Sequence, residues 1–258
     1  MDIQSEMEDV FYNRITFPKE KDTEENPAIQ AAMTVMNYEG RVVGIVGQLG
    51  PKTGDRVLNI ATDSPRNPGS SIKPLSVYAP AIELNNFYWS SYLPNFGIML
   101  AGSDKAWPTN YGGVTGSMND LRNLQEALAP SLNTIPARIV QALTPARSYS
   151  FLRDNFHIST LDPSDANYAP MAIGDMHRGV TTLDMAAAYA VFGNGGKYYK
   201  PWCYYKVTNS SGSTTLLEKD SEPKQAISAA TADVMNRMLQ TVVTASNGTA
   251  RNYPVKGF

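Results

Sequence analysis

Cysteine occurs once in the 258 residues, at Cys203, which excludes an internal disulfide and any thiolate-rich metal site. Histidine occurs twice, at His157 and His177, far apart and among ordinary residues; both read as surface or capping residues rather than metal ligands. No block of basic residues stands out, and the formal net charge of −2 offers no countercharged face to nucleic acid or to an anionic membrane. Long hydrophobic runs are also missing from the N-terminal stretch. "MDIQSEMEDVFYNRITFPKEKDTEEN" is charged from its second residue and lacks the apolar segment of a signal peptide or membrane anchor. There is no internal repeat, no Gly-rich phosphate loop and no carboxylate pair, so nucleotide chemistry and two-carboxylate hydrolysis have no residues to work with.

What is present is a folded chain. Hydrophobic residues make up 42% and charged residues 18%, and the length allows one large domain or two small ones with a real core. Residues 2–12 read as a helix and are followed by a charged linker, so the expected division is a helix and linker over 1–26 and a domain over 27–258. "AAMTVMNYEGRVVGIVGQ" predicts two β-strands joined by a turn at residues 38–40. Residues 85–116, dense in Gly, Pro, Asn and aromatics, read as irregular surface structure that could shape a site, with the aromatics of "YWSSYLPNFG" packed under it.

Helices dominate from there. "NDLRNLQEALA" places Leu121, Leu124 and Leu128 on one face, and "TIPARIVQAL" and "TPARSYSFLRDNF" each begin with Thr and an early proline. "TTLDMAAAYAVFGNGG" reads as a buried alanine-rich helix ended by glycines. "KYYKPWCYYKV" and "NSSGSTTLL" read as a hairpin turning near Gly212, with Cys203 as a small buried apolar group. "SAATADVMNRMLQTVVTASNG" is a helix capped by Ser228 and ended at Asn247 and Gly248, with Val234, Met238 and Val242 inward. Asp162 and Asp165 read as turn residues. The element order predicts an α+β fold with helices packed on an antiparallel sheet.

The chemistry-bearing stretch is "SPRNPGSSIKPLSVYAP". On a helix Ser70 and Lys73, three apart, share a face. A serine hydroxyl is a weak nucleophile until a neighbouring base takes its proton, and a desolvated neutral amine can do so. At a helix start, free N–H groups and the helix dipole also favour developing negative charge, and Pro74 is tolerated so near that start. A second Ser-x-x-Lys, Ser221 to Lys224, lies in an acidic linker with a proline inside it and reads as chance. A Ser-x-Asn can add a hydroxyl relay and an amide donor. Of the two copies, Ser117 and Asn119 immediately precede a helix and read as capping residues. Ser131 and Asn133, in a short turn between helices, are preferred for the site.

Taken together, "RNPGSSIKP", "LQEALAPSLNTIPAR" and "GVTTLDMAAAYAVFGNGG" resemble the transpeptidase domain of a bifunctional (class A) penicillin-binding protein, over nearly the whole chain. The resemblance implies a serine β-lactamase/transpeptidase-like fold and a peptidoglycan D,D-transpeptidase that works through a serine acyl-enzyme. Ser70 would be the nucleophile, Lys73 its proton partner, Ser131 a proton relay and Asn133 a substrate-binding amide. The implied partners are peptidoglycan stem peptides and β-lactam antibiotics, with no cofactor, at the extracytoplasmic face of a bacterial cell membrane.

The sequence departs from the family pattern in one respect. The third motif, Lys-Thr-Gly on an edge strand, is expected after the second. The literal copy at residues 52–54 precedes Ser70 in a turn-forming run, and Lys52 reads as a solvated turn residue. Lys256 and Gly257 are followed by Phe258 rather than by the expected strand. The expectation is therefore a fragment lacking the glycosyltransferase domain and the closing strand, with impaired activity. Two alternatives stay open. One is a serine β-lactamase-like hydrolase, which the absence of a Glu-x-x-Leu-Asn segment after Ser131 disfavours. The other is a non-catalytic truncated binding domain.

Overall fold

The computed structural model describes residues 2–14, 30–52, 54–84, 86–219 and 222–253. The linker read up to residue 26, Thr53, Ser221 and the closing residues 256–258 fall, wholly or in large part, outside these. The chain begins with helix α1 (Ile3–Asp9), which runs on through a wider turn over Val10–Arg14. Strands β1 (Met33–Met36) and β2 (Val42–Val46) form the expected antiparallel hairpin, Met33 opposite Val46. Helix α1 lies on this hairpin and adds Met7 and Phe11 to a small cluster around Val46. Lys52 and Gly54 are exposed, in keeping with a solvated turn.

After the short α2 (Ile60–Asp63) comes the helical run that carries Ser70 and Lys73. It opens as a 3-10 turn over Gly69–Ile72, widens over Pro74–Tyr78 and closes as α3 (Ala79–Glu83). The widening begins at Pro74, whose missing N–H and ring do not fit a regular α-helical ladder. From Ile72 to Ala81 this run is buried throughout and forms the middle of the main core.

The segment expected to be irregular contains ordered strands. They are β3 (Tyr92–Phe96), β4 (Ile98–Met99), β5 (Ala106–Trp107) and β6 (Gly116–Asn123). Strand β6 pairs with β3, Tyr92 opposite Asn123, and β4 pairs with β5. Strand β6 takes in Ser117 and Asn119, read from the sequence as capping residues, and Leu121, read as helical; Leu121 faces solvent. The helix starts later, as α4 (Leu124–Leu128), because Asn123 and Glu126 form a reciprocal capping box there. Tyr88, Trp89 and Tyr92 are exposed, not packed beneath the segment.

Helices α5 (Thr134–Leu143), α6 (Pro145–Asp154), α7 (Tyr168–Ile173) and α8 (Thr182–Gly193) follow. Asp162 and Asp165 cap a 3-10 turn, as their turn chemistry predicts. Only one side of α8, at Ala187, Ala188, Val191 and Phe192, is fully buried. Strand β7 (Lys197–Tyr198) precedes the expected hairpin of β8 (Lys206–Thr208) and β9 (Thr215–Glu218), and β10 (Lys224–Gln225) returns to pair with β7. Cys203 is exposed, contrary to the expectation. Its neighbour Trp202 takes the inward position and donates its indole N–H to Glu39 O at 2.9 Å. Helix α9 (Ala229–Thr244) is capped by the Ser228 side chain and buries Met238, with Val234 and Val242 packed against the core; it ends a few residues before Asn247.

The outcome is α+β, as predicted, with helices forming the core. The antiparallel strands are distributed over two-stranded ribbons among the described residues rather than joined in one sheet.

One glycine holds the Ser70 turn in place. Gly174 caps α7 in the left-handed region (φ 78°), and a Cβ there would overlap the carbonyl oxygen of Gly69. Gly174→Ala is expected to destabilise the chain by about 1–3 kcal/mol, because it combines overpacking with an unfavourable φ. Urea denaturation of the variant checks this; a wild-type midpoint would show that the approach to Gly69 is not tight.

Candidate active site

Two structural elements build the site. The first is the helical run 69–83; the second is the turn between α4 and α5. In the 3-10 opening, the backbone N–H of Lys73 donates to Ser70 O, so residues three apart stack along one face. Ser70 is exposed, whereas Lys73 is only 1% exposed.

The turn contributes Ser131, Leu132 and Asn133. Ser131 adopts a left-handed φ of 59°, unusual for a residue with a side chain. The N–H groups of Ser131 and Leu132 close the end of α4 by bonding to Leu128 O and Ala127 O, both at 2.9 Å. This closure turns several oxygens toward one point, and Lys73 Nζ sits there. It donates to Asn133 Oδ1 at 2.7 Å, Leu132 O at 2.9 Å and Ser131 O at 3.1 Å, with Ser131 Oγ at 3.3 Å.

None of these four oxygens belongs to a carboxylate, so among the described residues nothing in contact with Lys73 neutralises its charge. Burial lowers its pKa from 10.5 to about 8. An ammonium has three N–H bonds for four acceptors, so the longest contact, to Ser131 Oγ, is the one left over. A neutral amine has two N–H bonds and a lone pair that can accept the Ser131 hydroxyl proton. The site is thus able to hold the amine in either state and to pass a proton between Lys73 and Ser131.

Of the residues singled out in the sequence, the fold brings Lys73, Ser131 and Asn133 into direct contact. Ser70 joins them through the backbone turn, and none of the Lys73 Nζ contacts is with Ser70. Contacts of this kind often tighten only when substrate is bound. Asn133 uses Oδ1 for Lys73 and one Nδ2 hydrogen for Thr109 O at 2.9 Å, leaving a second Nδ2 hydrogen for a ligand. A groove of about 500 Å³ runs beside the Ser70 turn, lined by Arg66, Asn67, Ser71, Met185 and Tyr189; Ser70 and Lys73 do not line it. The Tyr189 hydroxyl fastens α8 to the turn by donating to Ser71 O at 2.7 Å.

Sequence reasoning missed the residues behind the turn, Asn95, Asn110 and Thr134. In "WPTNYGG" an asparagine before two glycines signals only a loop. Its partner lies 23 residues away and is found only in three dimensions.

The fold is of the serine β-lactamase/transpeptidase type. Penicillin-binding protein 1A from Haemophilus influenzae superposes with a TM-score of 0.71 at 24% identity, over 88% of this chain and 38% of that one. The imipenem acyl-enzyme complex of penicillin-binding protein A from M. tuberculosis superposes with a TM-score of 0.67 at 17% identity, over 86% of this chain and 58% of that one. The family model for the penicillin binding protein transpeptidase domain matches residues 30–258, and the chain belongs to that family. Among curated relatives, penicillin-binding protein 1A of Clostridium acetobutylicum is 30% identical over 252 residues, which is 94% of this chain and 31% of the relative. Penicillin-binding protein 2a of Streptococcus pneumoniae is 32% identical over 250 residues, which is 95% of this chain and 32% of the relative. The chain therefore spans about a third of the length of these relatives.

The lowered pKa of Lys73 has a signed consequence for stability. Between pH 8 and 10.5 the unfolded chain holds a proton on Lys73 that the folded chain has released, so stability rises with pH in that window. Measured against Lys73→Met, the wild-type stability difference is expected to be flat below about pH 8, to climb through the window and to level off above it. Denaturant melts at stepped pH test this; a flat difference across the window would mean that the amine is solvated in the folded state.

Proposed function

We propose that the chain is a peptidoglycan D,D-transpeptidase domain acting through a serine acyl-enzyme, with Ser70 as nucleophile. The observation that carries this reading is the buried, uncompensated Lys73 amine, one helical turn from an exposed serine, in a chain of this family.

In the proposed first step, the Ser70 proton passes to neutral Lys73 as Ser70 Oγ attacks the carbonyl carbon of the penultimate D-alanine of a stem peptide. The free N–H groups at the start of the helical run favour the developing oxyanion. The C–N bond breaks and the departing D-alanine nitrogen takes the proton, which Ser131 can relay from Lys73. Asn133 steadies the peptide through its spare Nδ2 hydrogen. An acceptor amine from a neighbouring stem then attacks the ester and gives up a proton, forming the cross-link and restoring Ser70. A β-lactam enters the same first step; its ring nitrogen takes the proton but stays tethered, so the adduct persists. The M. tuberculosis relative, captured as an imipenem acyl-enzyme on the same fold, supports the β-lactam part of this reading.

The site of action would be the extracytoplasmic face of the bacterial cell membrane, where this polymer lies. Among the described residues, no helix is long and apolar enough to cross a membrane.

Incubation with benzylpenicillin, followed by intact mass measurement and peptide mapping, tests the proposal. One stable adduct on Ser70 is expected, absent from Ser70→Ala. An adduct on another residue, or none on a folded chain, overturns the assignment. Acylation is also expected to quicken with pH through about 8 and then level off, since neutral Lys73 is the form that accepts the proton. A rate independent of pH from 6 to 10 would remove Lys73 from that role.

A further inference from the structure

Helix α5 begins in an unusual way. Its N-cap residue, Asn133, makes no side-chain cap, because its amide is engaged by Lys73 Nζ and Thr109 O. An asparagine at this position ordinarily satisfies one of the first free N–H groups of its own helix. Here those groups are satisfied from outside. Asn110 Oδ1 accepts the N–H of Asn133 at 2.8 Å and that of Thr134 at 3.4 Å.

Asn110 is in turn oriented by a chain of polar groups that runs from buried Asn95 and Thr134 out to the partly exposed Asp120 and Arg122. Its Nδ2 donates to Asn95 Oδ1 at 2.8 Å, and Thr134 Oγ1 donates to the same oxygen at 2.7 Å. Asn95 Nδ2 donates to Asp120 Oδ2 at 2.7 Å, and Asp120 Oδ1 accepts from Arg122 Nε at 2.7 Å. Asn95 and Asn110 are each 8% exposed and Thr134 is fully buried.

The direction of this chain is dictated by chemistry. An ionised carboxylate can only accept, so Asp120 obliges Asn95 to point its NH2 outward and its oxygen inward. That oxygen obliges Asn110 to present its own NH2 to Asn95 and its oxygen to α5. Either amide reversed would set donor against donor in a buried place, costing about 1–3 kcal/mol for each group left unpaired. The Asn95 hydrogen bond, the largest influence, holds the Asp120 carboxyl below its ordinary pKa; burial opposes it and the Arg122 contacts add to it, consistent with an ionised anchor.

We propose that Asn110, oriented by Asn95 and Asp120, serves as a substitute cap for α5 and acts as a positioning residue for Lys73. By capping the helix from the β3–β6 hairpin side, it frees the Asn133 side chain to hold the amine. The proposal rests on the reading of Lys73 as proton partner of Ser70. It extends that reading to a group that touches neither substrate nor Ser70.

The test follows the Lys73 titration in the full chain by ¹³C NMR of its labelled ε-carbon, beside benzylpenicillin acylation of Ser70. Asn110→Ala removes the bridge. Asn110→Asp keeps an acceptor for the α5 N–H groups, so it guards against simple loss of folding, but it cannot donate to Asn95. Both variants are expected to raise the Lys73 midpoint from about 8 by about half a unit or more, as water reaches the amine or a new negative charge favours its proton. Both are expected to slow acylation at neutral pH about ten-fold or more. Leu152→Ala, a truncation of the buried core outside the chain of asparagines, is expected to lower Tm and leave the midpoint in place.

Folded Asn110 variants that keep the wild-type midpoint, with only a lowered Tm, overturn the proposal. A midpoint that responds to Asn110 in a chain whose Ser70 never acylates supports the positioning and overturns the transpeptidase reading instead.

Discussion

A lysine amine held away from water needs oxygen atoms on several sides, and the oxygens around Lys73 come from a turn 58 to 60 residues further along the chain. Most of the surrounding architecture can be read as meeting that need. The left-handed Ser131 bends the chain so that two backbone carbonyls face inward, and Asn133 gives up its capping role to supply a third oxygen. None of these groups carries a charge, so the amine is hydrogen-bonded on several sides while burial lowers its pKa to about 8. A carboxylate in their place would have fixed the proton on the lysine.

Rigidity around this contact comes from both sides. On the Ser70 side, α7 and α8 press against the turn through Gly174 and the Tyr189 hydroxyl. Ser76 secures the following residues by donating to Met171 O at 2.7 Å and by accepting, through its own carbonyl, the Ser148 hydroxyl. On the Ser131 side, the β3–β6 hairpin reaches the start of α5 through Asn95 and Asn110. The catalytic proposal depends on an amine and a hydroxyl held close, and the fold gives each its own buried support.

Much of this was legible beforehand. The helices over 134–143, 145–154 and 229–244 announce themselves through early prolines, capping residues and apolar periodicity. The β1–β2 hairpin is marked by its turn. Ser70, Lys73, Ser131 and Asn133 could be singled out as candidates because the Ser-x-x-Lys and Ser-x-Asn spacings lie within motifs that resemble the family's. The failures share one cause. Ser117 and Asn119 look like helix caps and Leu121 looks helical until β6 forms against β3; Cys203 looks buried until Trp202 turns inward to Glu39. In each case a contact remote in sequence overrode a local preference, and such contacts leave no periodicity to read.

Residue order by itself determined the α+β class, most of the helix starts and the stacking of Ser70 and Lys73 on one turn, because these follow from bonds between near neighbours. Tertiary structure alone decided which way Lys73 points, how far its proton affinity falls and which outside residue caps α5. Those properties depend on burial and on hydrogen bonds between segments dozens of residues apart, and desolvation exists only once those segments have closed around the amine.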